Sequence, residues 1–139
     1  QTWFCSSTLT SNADDTLSDV TGMKFFVDAS QTWVFEAHLQ ISTAATPDIK
    51  VAFTVPAAAA TTGNYLYHAT TAMASARVAD WTASTSMVTA AAGTGADLYG
   101  RLVNSTTAGW VQLQAAQATS DASDTHVYVG SWITARRVA

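Results

Sequence analysis

The sequence predicts an all-β domain: an antiparallel jelly-roll or β-barrel-like sandwich of about eight to nine short strands. Three observations predict it. Apolar and polar residues alternate with period two over long stretches, which fits strands with one buried face. The chain is rich in β-branched threonine, 22 of its 139 residues, a type that favours strands. Charged residues are only 12% of the chain, with one glutamate (Glu36) and two lysines (Lys24 and Lys50). Long helices with ion-paired outer faces need both types in number, so a helical bundle is excluded. A hydrophobic share of 48% excludes intrinsic disorder, and 139 residues suit a single β domain over 1–139. Residues 1–15 read as an N-terminal arm or edge strand.

Gln1–Thr10 holds a first strand, and Met23–Val27 a second between Gly22 and Asp28-Ala29-Ser30. Thr32–Ile41 is the clearest alternation. Trp33, Phe35, Ala37, Leu39 and Ile41 point inward, while Thr32, Val34, Glu36, His38 and Gln40 point outward. Ile49–Val55 repeats the pattern with Ile49, Val51, Phe53 and Val55 inside, and Pro56 ends it because proline cannot donate to a ladder. Together Thr32–Val55 reads as a β-hairpin with a loop of about seven residues. Tyr65–Ala69 follows a Gly63-Asn64 turn. Leu98–Asn104 carries Gly100 as a bulge or close approach, and is paired as a second hairpin with Trp110–Ala115. Thr125–Val129 and Ser131–Val138 form a last pair joined at Gly130. The alanine tracts Ala57–Ala60 and Ala90–Ala92 are too short for stable helices and fall in loops.

A net charge of −4 and a pI near 5.0 argue against a nucleic-acid partner, which calls for a basic stripe. No apolar run approaches the roughly 20 residues of a membrane-spanning helix, so no membrane partner is expected. The N-terminus lacks a basic segment followed by an apolar one, and the single Cys5 cannot form an internal disulfide.

Catalytic chemistry finds little support, and the chain is not expected to be an enzyme. Most of the nine aspartates lie in turn-like clusters (Asp14-Asp15, Asp19, Asp28, Asp48, Asp121 and Asp124), where the carboxylate bonds nearby backbone. His38, His68 and His126 fall on three different strands, without the local spacing of a metal motif. Cys5 reads as a small packed thiol. There is no Gly-x-Ser-x-Gly elbow and no glycine-rich phosphate loop. Asp121-Ala122-Ser123-Asp124 lacks the spacing and glycine of an EF-hand. No catalytic, cofactor-binding or metal-ligating residue is assigned, and no cofactor is expected.

The surface is the more informative part. Five Trp, four Tyr and five Phe accompany only 16 charged residues. Val111, Leu113 and Ala115 form one face of their strand, which leaves Trp110, Gln112 and Gln114 on the other; Tyr128 shares a face with His126. Aromatics among neutral polar neighbours have the composition of a protein interface. The interface candidates are Trp3, Phe4, Trp110, Gln112, Gln114 and Tyr128. Thr-rich monomers and lectin-like domains share the low charge, so a free monomer is the competing expectation.

Two stretches carry a resemblance. Thr16–Pro56 contains Leu17, Asp19, Val20 and Gly22, then Trp33, Phe35 and Glu36, then Pro47, Asp48, Lys50 and the closing Pro56. Leu102–Val138 contains Leu113, Gln114, Ala116 and Gln117, then Gly130 and Ser131, then Arg136 and Arg137. Together they resemble a β-rich module of tailed-bacteriophage virion proteins, most like capsid decoration (cement) proteins, with related modules in tail fibres and minor tail proteins. The resemblance implies a homotrimer on the outer capsid surface of the virion, bound to itself and to the major capsid protein. No fibre shaft and no coiled-coil heptads are seen, which favours decoration over a fibre tip. The alternative is a tail fibre tip or receptor-binding module recognising a host surface glycan or protein. It expects exposed aromatics near polar loops, such as Trp81, Tyr65 and Tyr67.

Overall fold

The computed structural model describes the whole chain, Gln1–Ala139. It is an open sandwich of two antiparallel sheets, not a closed barrel. Twelve strands build it: β1 (Thr2–Phe4), β2 (Leu9–Ser11), β3 (Ser18–Val27), β4 (Thr32–Thr43), β5 (Ile49–Thr54), β6 (Ala60–Ala69), β7 (Met73–Val78), β8 (Thr85–Met87), β9 (Gly93–Val103), β10 (Gly109–Gln117), β11 (Thr125–Val127) and β12 (Trp132–Arg137). The larger sheet runs β1-β12-β4-β9-β6-β7, with β11 and β2 continuing its β12/β1 side; the smaller runs β3-β10-β5-β8. The count exceeds the expected eight or nine because β7 and β8 have no counterpart in the sequence reading and the first strand is broken into β1 and β2. β11 and β12 both lie along β4, at His126↔Ser42 and Trp132↔His38, and β2 and β1 lie outside them. Gln1–Ser11 is therefore an interrupted edge strand.

The inward set of β4 and β5 is largely as expected, with Phe35, Ala37, Leu39, Ile41, Ile49, Val51 and Phe53 buried and Trp33 and Val55 half-buried, but the alternation is incomplete in β5, where Ala52 on the outward-read face is buried too. The three expected hairpins do not form. β4 and β5 belong to opposite sheets, as do β9 and β10, while β11 and β12 lie end to end along β4 and do not pair with each other. Alternation fixes which face of a strand is buried, not which strand lies beside it. Two apolar stripes are satisfied equally by facing each other across the core, and Phe35 of β4 meets Phe53 of β5 in that way, with centroids 4.9 Å apart. The hairpin that does form is β6–β7, closed by Ala69 N–H donating to the Ala72 carbonyl at 2.9 Å. Gly63-Asn64 is not a turn; it lies inside β6, opposite Gly100 and Tyr99 of β9.

Gly100 is a close approach rather than a bulge. A Cβ there would overlap the Phe35 ring, and one at Gly63 would overlap the Tyr99 carbonyl and the Trp81 indole. Phe25 joins the two sheets further along, against Trp3 and Trp33 at 5.7 Å each.

The β4–β5 crossing is held by a buried acid. The Asp48 carboxylate accepts from the Tyr67 hydroxyl at 2.8 Å and the Thr89 N–H at 3.0 Å. Its carbonyl accepts from the Thr43 and Thr125 hydroxyls at 3.2 and 3.3 Å. Burial pushes the Asp48 carboxyl above its usual range, against the pull of its two hydrogen bonds, and pushes the Tyr67 phenol upward as well.

Candidate functional site

Strand register maps the outer face of the larger sheet. Reading from β1 across to β7, one row is Phe4, Trp132, His38, Asp97, Leu66 and Ser75. The next is Thr2, Thr134, Glu36, Tyr99, Asn64 and Arg77. A third holds Arg136, Val34, Arg101 and Thr62. Thr134, Glu36, Tyr99 and Asn64 of the second row and the whole of the third line a groove of about 530 Å³, floored by Phe35, Gly63 and Gly100. A shallower hollow continues it toward Phe4 and Trp132.

At the first row the topology joins three side chains that are far apart in sequence. β9 lies between β4 and β6, so Asp97 lies between two imidazoles. His38 Nδ1 is 2.6 Å from Asp97 Oδ1, and His68 Nε2 is 2.9 Å from Asp97 Oδ2. Trp132 stacks on His38 at 6.0 Å. Burial raises the Asp97 carboxyl, but the hydrogen bonds and charge of the two histidines outweigh it and leave the group below its ordinary value. No group of three His, Cys, Asp or Glu side chains has the geometry to hold a metal ion. His126 is apart from the other two, bonded through Nδ1 to the Thr10 hydroxyl at 3.0 Å and stacked on Tyr128 at 5.4 Å.

A depressed carboxyl stabilises the fold above the pKa it has when unfolded, and that contribution is lost as pH falls through the folded value. Acid unfolding below about pH 4 therefore draws in part on Asp97. Asp97→Asn is expected to cost about 1–2 kcal/mol at neutral pH and to flatten the acid limb of a urea-midpoint-against-pH curve. An unchanged acid limb would assign the dependence to other carboxylates.

The predicted interface residues separate. Trp110 lies on the outer face of the smaller sheet and is 53% exposed, edge-to-face with the equally outward Phe26 at 5.4 Å. Lys24 Nζ caps the Trp110 ring at 4.7 Å. Gln114 is half-buried, and its amide donates to Asp19 Oδ1 at 2.8 Å. Gln112 is not available to a partner: it is buried, and its amide N–H groups are shared among three of the chain's own carbonyls. Trp3 is not an outward anchor either, because alternation turns it onto Phe25 while its neighbour Phe4 faces out. Tyr128 is exposed on the opposite side of the sandwich from Trp110.

The aromatics expected of a receptor-binding tip are core residues. Trp81 and Tyr67 have no exposed surface and Tyr65 is buried. Cys5 is a packed thiol that donates to the Ser7 carbonyl, with its pKa raised by burial. Asp14 and Asp121 bond their own turns as expected, at the Thr16 and Ser123 N–H groups, and Asp80 does the same at Thr82; Asp19, Asp48 and Asp124 do not, and instead accept from Gln114, from Tyr67 and Thr89, and from Asn12 across the fold. The turn bonds hold the Asp14, Asp80 and Asp121 carboxyls below their usual range. Neither the histidine–aspartate cluster nor the groove was legible in the sequence. The period-two pattern did mark Glu36 and His38 as outward-facing.

No protein-family model, no curated protein and no solved structure matches the chain.

Proposed function

We propose that the protein is a structural virion component, a homotrimeric decoration protein that stabilises a phage capsid lattice by binding copies of itself and the major capsid protein. The observation that carries the self-association is the pair of uncovered aromatic clusters on opposite sides of the sandwich. One is Phe26 and Trp110 under Lys24; the other is Tyr128 on His126, with Val129 beside it. Two different patches on one protomer suit a head-to-tail contact, in which patch one of each copy meets patch two of the next. A rotation that closes makes a ring. Aromatic anchors of this kind dominate interface energies. The place in a virion rests on the sequence resemblance. There, many identical contacts add through multivalency, and binding to the assembled lattice alone makes that state harder to leave.

Native mass measurement at micromolar concentration tests the assembly. The expected result is a species of three 14.6 kDa chains. A predominant single-chain mass overturns the reading. Trp110→Ala, which leaves the core untouched, is expected to weaken self-association by about 30-fold, the effect of losing one aromatic anchor. Occupancy of purified capsids, with tail preparations as the comparison, tests the location.

A further inference from the structure

We infer that the groove on the outer face of the larger sheet is a binding site for an acidic saccharide, a chain of sugars bearing carboxylates. Its walls are Glu36, Asn64, Tyr99, Arg101 and Arg136, with Thr62 and Thr134 at the ends. The inference does not depend on self-association, because the patches invoked for that lie elsewhere on the molecule.

The first ground is where the charge lies and what it is doing. The chain is acidic overall, yet three of its four arginines, Arg77, Arg101 and Arg136, stand on this one face. The two lysines are engaged, Lys24 over Trp110 and Lys50 3.8 Å from Asp15. The arginines form no ion pair: every such contact in the protein involves a histidine or Lys50. Of the carboxylates on this face, Glu36 stands in the groove without an ion pair to either arginine, and Asp97 in the adjacent row is held by His38 and His68. A positive strip with free guanidinium forks on an acidic protein selects an anion, and a carboxylate fits the fork bidentately.

The second ground is unspent hydrogen-bonding capacity. The side chains of Glu36, Asn64, Tyr99, Arg101 and Arg136 are exposed, and none of them bonds another residue of the chain. Four amide side chains elsewhere, those of Gln31, Asn104, Gln112 and Gln117, each bond backbone or neighbouring side chains. The groove thus offers donors in two guanidinium groups, an amide and a phenol, and an acceptor in the only glutamate. That mixture matches the hydroxyls of a sugar ring, each of which both donates and accepts. Tyr99 in the groove and Trp132 at its rim supply flat apolar faces for the ring's C–H side. The volume, about 530 Å³, is in the range of small-ligand sites.

An acidic peptide is disfavoured by topology. Extended peptides gain affinity by adding to a free sheet edge. The groove is built on β12, β4, β9 and β6, each paired on both sides, so their backbone groups are already in ladders. Only side chains are on offer, which suits a ligand whose own recognition groups are side hydroxyls and carboxylates.

Calorimetric titration of the 139-residue chain with tri-galacturonate at low salt tests the site. The expected result is saturable one-site binding with a dissociation constant below about 1 mM. The double variant Arg101→Gln/Arg136→Gln is expected to weaken it at least about 10-fold, and neutral tri-galactose to bind at least about 10-fold more weakly. Both substituted side chains are exposed, and an unchanged thermal midpoint checks that the variant is folded. Arg137→Gln, outside the groove, is expected to leave binding unchanged. Absence of binding, equal binding by the double variant, or equal binding of a tri-glutamate peptide overturns the inference. Measuring mass on the same samples separates this outcome from the oligomeric state.

Discussion

Replacing Trp81 with alanine is expected to remove about 4 kcal/mol of stability, much of what a domain of this size possesses. Trp81 lies in the Ala79–Ser84 crossing between β7 and β8 and has no exposed surface. It ties the sheets together three ways. Its backbone N–H donates to the Thr61 hydroxyl at 2.8 Å, its carbonyl accepts from the Phe53 N–H at 2.8 Å, and its indole N–H donates to the Tyr99 carbonyl at 3.3 Å. The ring stands edge-on to Phe53 at 5.8 Å. It also fills the space against Gly63, where a Cβ would collide with the indole nitrogen. Alanine would leave a cavity under two strands that are pinned in their ladders and cannot collapse into it. With a urea dependence of about 1.5 kcal/mol/M, the denaturation midpoint should fall by roughly 2.5 M. Trp81→Phe, which keeps most of the ring but loses the indole donor, should lose about half as much. A midpoint that does not move would mean that Trp81 is not the link between the layers.

The same residue marks where sequence reasoning succeeds and where it stops. A strand's buried face is a local property. Phe35, Leu39 and Ile41 declare themselves by alternation, and the resulting sandwich class follows. Trp81 sits in a crossing loop with no periodicity around it, so an aromatic beside Asp80 and Thr82 reads as a surface feature when it is core. Pairing, by contrast, is non-local. Gly63 lies opposite Gly100, and Gly100 in turn opposite Phe35. These residues come from β6, β9 and β4, which are not consecutive in sequence, and nothing in their local patterns names the others as neighbours. His38, Asp97 and His68 meet for the same reason, since β9 inserts between β4 and β6. The groove is a product of that strand order as well, because Glu36, Tyr99 and Asn64 share a row only once the three strands are side by side.

Gln112→Leu is expected to cost about 3 kcal/mol, the second-largest loss, although the sequence pattern turns this side chain outward. The cause lies in β3. Gln112 of β10 pairs with Lys24, but Gln114 pairs with Asp19, so Val20–Met23 is accommodated opposite Leu113 alone. The extra residues form a bulge that passes through Gly22 at φ 89° and turns both Val20 and Met23 into the core. The bulge takes backbone carbonyls out of the ladder, and buried carbonyls need donors. The two N–H groups of the Gln112 amide supply them, shared among Val20 O at 3.0 Å, Met23 O at 3.3 Å and Leu113 O at 2.7 Å. Leucine has similar bulk and no donor, so the carbonyls would stay buried without partners. Urea denaturation measures the loss, and hydrogen exchange at the β3 amides should rise with it. The assembly state separates this role from an interface role. A Gln112 that served a partner would weaken self-association when replaced and leave the monomer's stability alone; a Gln112 that plugs the bulge does the reverse. Gln112→Glu sharpens the distinction, because a carboxylate facing those carbonyls has no proton to offer them when ionised, and should destabilise the fold at least as much as leucine does.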